Sequence, residues 1–494
     1  MKYTKISTLL LATALILASC GSGGQNEPKV TDSKDTSSSS DTTVEETGYK
    51  YPDVDYGGYE FRVLNFDKYV NCTIRVDETE QTGEKLSDAI YNRNRKVEEK
   101  LGFKMKEIQH TFTSWGAAQS EILTLVSNSV MAGDDQYDAA YLNLRFGIGV
   151  ITDGNLVNLK SISTLKLDED YWDHVINDSL TINNHLYGAS GPLMLESSDF
   201  AWCMFFNETM MTNYKMEFPY QLVRDGKWTI DKLNEYVAGA ANLNGDESFT
   251  SWNANGRCVY GIAGHDGSPQ AFIYTAGCDY MKNVDGKYKL TIESDAFYSV
   301  IDKMKTLFNL DSGYVRFDNS AKGIPEGYIE MFANGRAMFM TGELKTAMEE
   351  RDMKDSFGIL PMPKLDESQD GYRSLINDGS ALLCIPVTNP DLERSGVILD
   401  ALTYESNETV LPVYYDVTVS QKGLRNDDSI DMLKIIREGR GIDIASFLSV
   451  NGEMKSAINN LVCKGGTDEP ASIIATSKAR VEKNIETIMA AFGE

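Results

Sequence analysis

Tyr59-Glu60-Phe61-Arg62-Val63-Leu64-Asn65-Phe66 alternates apolar with polar side chains and is rich in β-formers, so it reads as a strand. The segments after this strand decide the fold class. Ser87 to Leu101 carries Ile90, Val97 and Leu101 on one helical side, with Gly102 at its end as a stop. Phe103 to Ile108 is a second strand, Trp115 to Met131 a second helix, and Tyr137 to Leu142 a short buried strand. Strands alternating with helices predict α/β layers with parallel pairing.

Upstream of this unit the chain is of a different kind. Lys2 and Lys5 are followed by an apolar run from Leu9 to Ala18, broken only by Thr13. The run is the length of a signal-peptide core and falls short of the roughly 20 residues that a spanning helix needs. Leu17-Ala18-Ser19-Cys20 then resembles the bacterial lipobox, which implies cleavage before Cys20 and a diacylglycerol on its thiol. Residues 1–19 are thus expected to be a signal peptide. Residues 20–48 are the lipidated Cys and a tether rich in Gly, Ser, Thr, Asp and Glu, with Ser37 to Ser40 at its centre. Such a segment has too little apolar surface to offset the entropy of ordering, and its end-to-end distance is on the order of 30 Å.

About 445 of the 494 residues follow the tether, more than one core usually serves, so two or more lobes are expected. The formal charge is -26, and removing Lys2 and Lys5 makes the mature chain more negative still. Nucleic acid and anionic lipid are therefore poor partners. Besides Cys20 there are Cys72, Cys203, Cys258, Cys278, Cys384 and Cys463, with no CxxC; Cys258 and Cys278 form a disulfide across a loop or remain buried thiols. His110, His174, His185 and His265 lie at no metal-ligand spacing, so neither metal nor cofactor is expected.

Further along, Leu186 to Asn207 is apolar and β-like, and Thr229 caps a helix over Ile230 to Ala240. Phe297 to Leu310 is an amphipathic helix; Phe332 to Thr341, Phe357 to Pro361 and Ser380 to Pro386 are strand-like; the chain from Asp391 is mainly helical. Four of these stretches are similar to those of the extracellular solute-binding proteins of bacterial ABC importers, the sugar-binding type that includes maltose-binding protein. They are Met331-Phe332-Ala333-Asn334-Gly335-Arg336-Ala337-Met338-Phe339-Met340-Thr341-Gly342, Phe357-Gly358-Ile359-Leu360-Pro361-Met362-Pro363, Phe205-Phe206-Asn207 and Lys227-Trp228-Thr229-Ile230-Asp231-Lys232-Leu233. Glu208 stands where that family usually has Lys.

The resemblance implies a two-lobe α/β fold of the periplasmic-binding type, hinged around a ligand cleft. The chain is expected to cross near Gly191 to Trp202, near Gly342 and near Asn377 to Ser380. Residues 49–192 would then be the N-terminal part of lobe 1 and 193–340 the first part of lobe 2. Residues 341–378 would return to lobe 1, and 379–494 would be mainly lobe 2 helices. It further implies a monomer held at the outer face of the cell membrane by its lipid, delivering a small solute to the transmembrane subunits of an ABC permease.

A polyhydroxylated ligand needs flat apolar faces for its C–H surface and carboxylates, amides or Arg for its hydroxyls, on loops at strand ends. After the first strand, Asp67 matches an Asp-Lys pair in the family's first ligand loop, or is a solvated turn residue. By the same resemblance Tyr141 is a ligand aromatic and Arg145, four positions on, a ligand cation, although Leu144 stands where an acidic residue is frequent. Asp199 lies near a family carboxylate, and Trp202 stacks on ligand or packs in the hinge. Glu343 occupies the place of a frequent stacking Trp, and Asp378 sits on a crossing. Trp252, among Ser, Asn and Gly, is a candidate platform, and His265-Asp266-Gly267-Ser268 with Gln270 is a candidate cleft loop; Trp172 and Trp228 are assigned to packing. The rival readings are a lipoprotein sensor or adhesin that uses this fold without a permease, and a lipid-anchored glycoside hydrolase with paired carboxylates. No Gly-x-Ser-x-Gly, P-loop or metal triad supports an enzyme.

Overall fold

A computed structural model describes residues 48–67, 77–113, 117–247, 249, 256–264, 267–309, 314–316, 327–349, 353–421, 427–463 and 466–493. Its strands, in chain order, are β1 (Tyr59–Asp67), β2 (Phe103–Thr111), β3 (Ala139–Leu142), β4 (Trp202–Asn207), β5 (Tyr260–Gly264), β6 (Met281–Val284), β7 (Lys287–Leu290), β8 (Tyr314–Arg316), β9 (Ala337–Glu343), β10 (Phe357–Pro361), β11 (Ser374–Leu375), β12 (Leu382–Cys384) and β13 (Arg440–Gly441). They build two main sheets. One has the order β12-β3-β1-β2, the other β10-β4-β9-β5-β8, and each is the centre of a lobe.

In the first lobe β1 pairs parallel with both β2 and β3. Phe61, Val63 and Leu64 of β1 are buried, on both faces of the strand, because helices cover a parallel sheet on either side. The helix Lys85–Leu101 supplies one cover with Val97 and Leu101, while its Ile90 packs in a separate cluster with Leu195, Val410 and Tyr414. The Glu84 carboxylate accepts from the Ser87 N–H at its start, and Gly102, in the left-handed region at φ 66°, stops it. The helix Leu392–Glu405 packs on it from the C-terminal half of the chain.

In the second lobe β4 is antiparallel to β9 and β10, and β5 is parallel to β8 and β9. Thr229 caps the helix Ile230–Ala240 by accepting from the Lys232 N–H, and that helix lies on β5. The helix Asp427–Glu438 packs on β10, and Gly452–Cys463 packs on the helix Ser268–Thr275. The long helix Pro470–Ala491 touches both lobes, meeting β7 and also the helix Leu144–Thr152.

One expectation about the second half of the chain is corrected. Residues 341–378 do not return to the first lobe. Near Gly342 the chain reaches the boundary between the sheets and turns back, because Phe357, Ile359 and Leu360 bury their side chains in the second sheet as β10. The return comes at Ile376 to Ser380. Within residues 379–494, β12 extends the first sheet, Leu392–Glu405 and Leu411–Gln421 cover its helix Lys85–Leu101, and from Asp427 the chain packs on the second sheet again. Leu186 to Asn207, read as β-like, holds a 3-10 segment over Pro192–Asp199, and only β4 is strand. Cys258 and Cys278 are buried free thiols, not a disulfide.

The segments at the boundary are hydrogen-bonded to one another. The Asn377 N–H donates to the Phe200 carbonyl at 2.9 Å, and the Leu344 N–H donates to the Ala201 carbonyl at 2.9 Å.

Gly261 of β5 lies directly under the helix Ile230–Ala240. A Cβ there would fall on the Val237 carbonyl oxygen and side chain, closer than Cβ atoms are found to any neighbour. Gly261→Ala is therefore expected to push helix and sheet apart and destabilise the second lobe by about 1–3 kcal/mol, read as a lower melting temperature.

Candidate functional site

Helix and strand ends from both lobes converge on a cavity of about 170 Å³ at the boundary. From the first lobe comes Arg145, in the first turn of the helix Leu144–Thr152 that leaves β3. From the second come Gly267 and Gln270, at the start of the helix Ser268–Thr275 that follows β5, and Lys455 and Asn459, one turn apart on Gly452–Cys463. The crossing segments add Trp202 and Leu375 to Asp378. The C-terminal ends of β3 and β5 thus open toward one space, the place where open α/β sheets hold their ligands.

Asp378 is the electrostatic centre. Its Oδ1 accepts from Arg145 Nη1 at 3.0 Å and its Oδ2 from Lys455 Nζ at 2.6 Å, so one carboxylate on a crossing segment ties a cation of each lobe. Burial acts to raise the Asp378 pKa. The charges of Lys455 and Arg145 and their hydrogen bonds outweigh it and hold the carboxyl below its ordinary value.

The neighbouring polar groups are fixed in the same way. Gln270 Nε2 donates to Asn459 Oδ1 at 2.7 Å, and Gln270 Oε1 accepts from the Tyr280 hydroxyl at 2.8 Å. Asn377 Nδ2 donates to Glu343 Oε1, while Asn377 Oδ1 accepts from the Gly379 N–H at 2.7 Å. Asn143 Nδ2 donates to the Gly379 carbonyl at 2.6 Å, joining the end of β3 to the crossing. Glu343 also pairs with Lys345 at 3.3 Å, and Lys345 Nζ stands 4.4 Å over the Phe200 ring. Side chains that are already oriented cost less entropy to engage when a ligand arrives.

Of the residues singled out from sequence, Arg145, Trp202, Gln270 and Asp378 stand together around the cavity. Trp202 lines the cavity and is buried to 3% exposure. Glu343 stands next to them through Asn377. Tyr141 is corrected: at 1% exposure it lies inside the first sheet, on a strand buried on both faces, and burial pushes its hydroxyl pKa up. Asp67 ends β1 and Asp199 ends the 3-10 segment, but their side chains lie outside the described residues, as do Trp252, His265, Asp266 and Cys20. Sequence reasoning missed Lys455, Asn459, Asn377 and Ser446. The first two carry only an i, i+4 spacing on a C-terminal helix, and nothing local ties that helix to β3.

No family model matches the chain, and no curated protein matches it in sequence. Solved structures do. The galacto-N-biose/lacto-N-biose I-binding protein of the ABC transporter from Bifidobacterium longum, in complex with lacto-N-biose, matches with a TM-score of 0.58 at 11% identity, over 88% of this chain and 98% of that one. UgpB from Mycobacterium tuberculosis, in complex with glycerophosphocholine, matches with a TM-score of 0.55 at 12% identity, over 89% and 100%. An ABC-transporter solute-binding protein from Thermotoga lettingae, bound with α-D-tagatose, matches with a TM-score of 0.53 at 14% identity, over 87% and 100%. The chain has the fold of the ABC-transporter solute-binding proteins. Within that fold, the cavity lies at the meeting of two sheets and two crossings.

Because the folded Asp378 carboxyl is depressed below the unfolded value of about 3.9, its contribution is present above that pH and is lost as pH falls through the folded value. Asp378→Asn is expected to lower stability at pH 7 by about 1–3 kcal/mol, discounted because Arg145 is partly exposed. The difference from the native protein should shrink below about pH 4, as followed by thermal melts across pH.

Proposed function

We propose that this chain is a lipid-anchored extracellular solute-binding protein, which captures a small carbohydrate between its lobes and delivers it to an ABC permease. The observation that carries the reading is the cavity itself: an indole, an Arg, amides and a carboxylate gathered from both lobes and from the crossing at strand C-termini. These are the groups that a polyhydroxylated solute requires, an apolar face for C–H surface and directional donors and acceptors for hydroxyls. Closing the lobes on such a solute supplies a shape that a membrane partner reads.

An enzymatic role fits the site less well. Asp378 is held ionised between two cations, and a depressed carboxyl is a weak general acid. Glu343 is engaged by Asn377 and Lys345. Among the described residues no helix is long and apolar enough to cross a membrane, and the anchoring role is assigned to Cys20.

A panel of mono- and disaccharides tested by thermal melting is expected to contain one chemical class that stabilises the protein, by about 2.7 kcal/mol at a hundredfold excess over Kd. The sugar should be recovered unchanged; its turnover would overturn the transport reading. Cys20→Ser is expected to abolish palmitate labelling and to release the protein from the membrane fraction. Retention of membrane association in that variant would remove the lipid anchor.

A further inference from the structure

We propose that the C-terminal helix Pro470–Ala491 is a strap across the two lobes. Its last turn, seated on Tyr187 of the first lobe, favours the arrangement in which the lobes stand together. The inference rests on the two-lobe fold and is independent of which solute the protein takes. The body of the helix belongs to the second lobe. It packs on β7 and on the helix Gly452–Cys463. Lys478 pairs with Glu293 at 3.9 Å, Arg480 pairs with Glu453, and Asn484 Nδ2 donates to the Val450 carbonyl at 3.1 Å.

The end of the helix belongs to the first lobe. The last carbonyls of a helix have no partner within it, and a chain end is poorly ordered unless tied down. Here the Ala491 carbonyl accepts from the Tyr187 hydroxyl at 2.9 Å. Phe492, next in the chain, is buried, and its ring meets that of Tyr187 edge-on at 5.1 Å. The seat is firm. Ala189, two residues beyond Tyr187, bridges Leu383 of β12. Ile182 and His185 hydrogen-bond in both directions around Asn183 and Asn184, which take the left-handed conformation at φ 48° and 58°. The His185 ring stacks on Tyr187 at 5.9 Å. On the same stretch of the first lobe, Asp173 Oδ2 accepts from Arg440 Nη1 of β13 at 3.3 Å, a second contact with the C-terminal part of the chain. Asp173, Tyr187, Arg440 and Phe492 are not among the described residues that line the cavity.

A helix does not stretch. These 22 residues form a rod of about 33 Å at 1.5 Å per residue. Its body moves with the second lobe, so parting the lobes must lift the last turn from Tyr187 or bend the helix. Lifting it exposes Phe492 to water and separates the Tyr187 hydroxyl from the Ala491 carbonyl, and both effects oppose opening. The strap thus raises the share of molecules with the lobes together before any ligand arrives, and apparent affinity scales with that share.

The test is small-angle X-ray scattering, without ligand, on the mature chain carrying Cys20→Ser so that it stays in solution. Four changes are compared in that background: Phe492→Ala, Tyr187→Phe, a chain ending at Ala490, and Ile474→Ala. Phe492→Ala and the shortened chain are expected to show a larger radius of gyration while still melting cooperatively. Tyr187→Phe keeps the ring and loses the hydroxyl, so it should move the radius in the same direction by less. Ile474→Ala, near the start of the helix, should lower the melting temperature and leave the radius unchanged. If the shortened chain does not fold, Phe492→Ala decides. An unchanged radius in folded Phe492→Ala, or an equal increase in Ile474→Ala, would overturn the strap. No sugar enters the measurement, so its outcome is separate from that of the carbohydrate reading.

Discussion

One carboxylate, Asp378, holds a cation from each lobe, and the relation between the lobes depends on it. Its position explains why this is possible. Asp378 lies on the segment that leaves β11 for β12, so its backbone belongs to the crossing while its side chain reaches Arg145 at the end of β3 and Lys455 on a second-lobe helix. A buried carboxylate would be costly alone; paired with two cations it stays ionised, and the depressed pKa expresses that balance. In the proposed solute-binding role, a ligand competing for Arg145 or Lys455 would act on the contact that spans the lobes. Binding and closure would then be linked through shared donors, with no need of a longer pathway.

The backbone around Asp378 resists displacement. Ala201 bridges Ile376, Asn377 hydrogen-bonds to Phe200, and Asn143 reaches across to the Gly379 carbonyl. The crossings are thus tied to each other and to β3. Packed cores do not deform continuously, so in hinged folds the change falls on torsions at the ends of connecting segments such as these. The helix Pro470–Ala491 touches both lobes, and the Tyr187 hydroxyl donates to the Ala491 carbonyl at its end, a further connection across the boundary.

How much was legible in the sequence depends on how local each signal is. The strands β1 and β2 and the helix Ile230–Ala240 with its Thr229 cap are fixed by short-range periodicity and capping, and they lie where the sequence puts them. The course of residues 341–378 was not legible. Phe357 to Pro361 reads as a buried strand in either sheet, and only pairing with β4 decides between them. Arg145 was reached through the family resemblance and Asp378 through its place on a crossing, but the resemblance did not separate Tyr141 from them: a fully buried strand has no alternation, so nothing in Ala139 to Leu142 marks which side chain faces a cavity. Lys455 and Asn459 needed the tertiary contact between their helix and Ser268–Thr275, which has no trace in local spacing.

The same physics assigns different parts to the two lobes. The first residues of the compact unit are pinned in the first lobe: the Tyr49 hydroxyl donates to Asp400 Oδ2 at 2.9 Å and the Tyr51 hydroxyl to Glu405 Oε1 at 2.8 Å. Asp400 is fully buried, and it also accepts from the Tyr171 hydroxyl and the Lys166 N–H, so this attachment does not yield locally. Any restraint acting on the chain before Tyr49 is therefore delivered to the lobe that carries Arg145. Lys455 and Gln270, on the other lobe, are connected to that restraint through the crossings, the helix Pro470–Ala491 and the Asp378 contact. Under the proposed anchoring at Cys20, the first lobe would be the reference frame and the second lobe the part free to move against it.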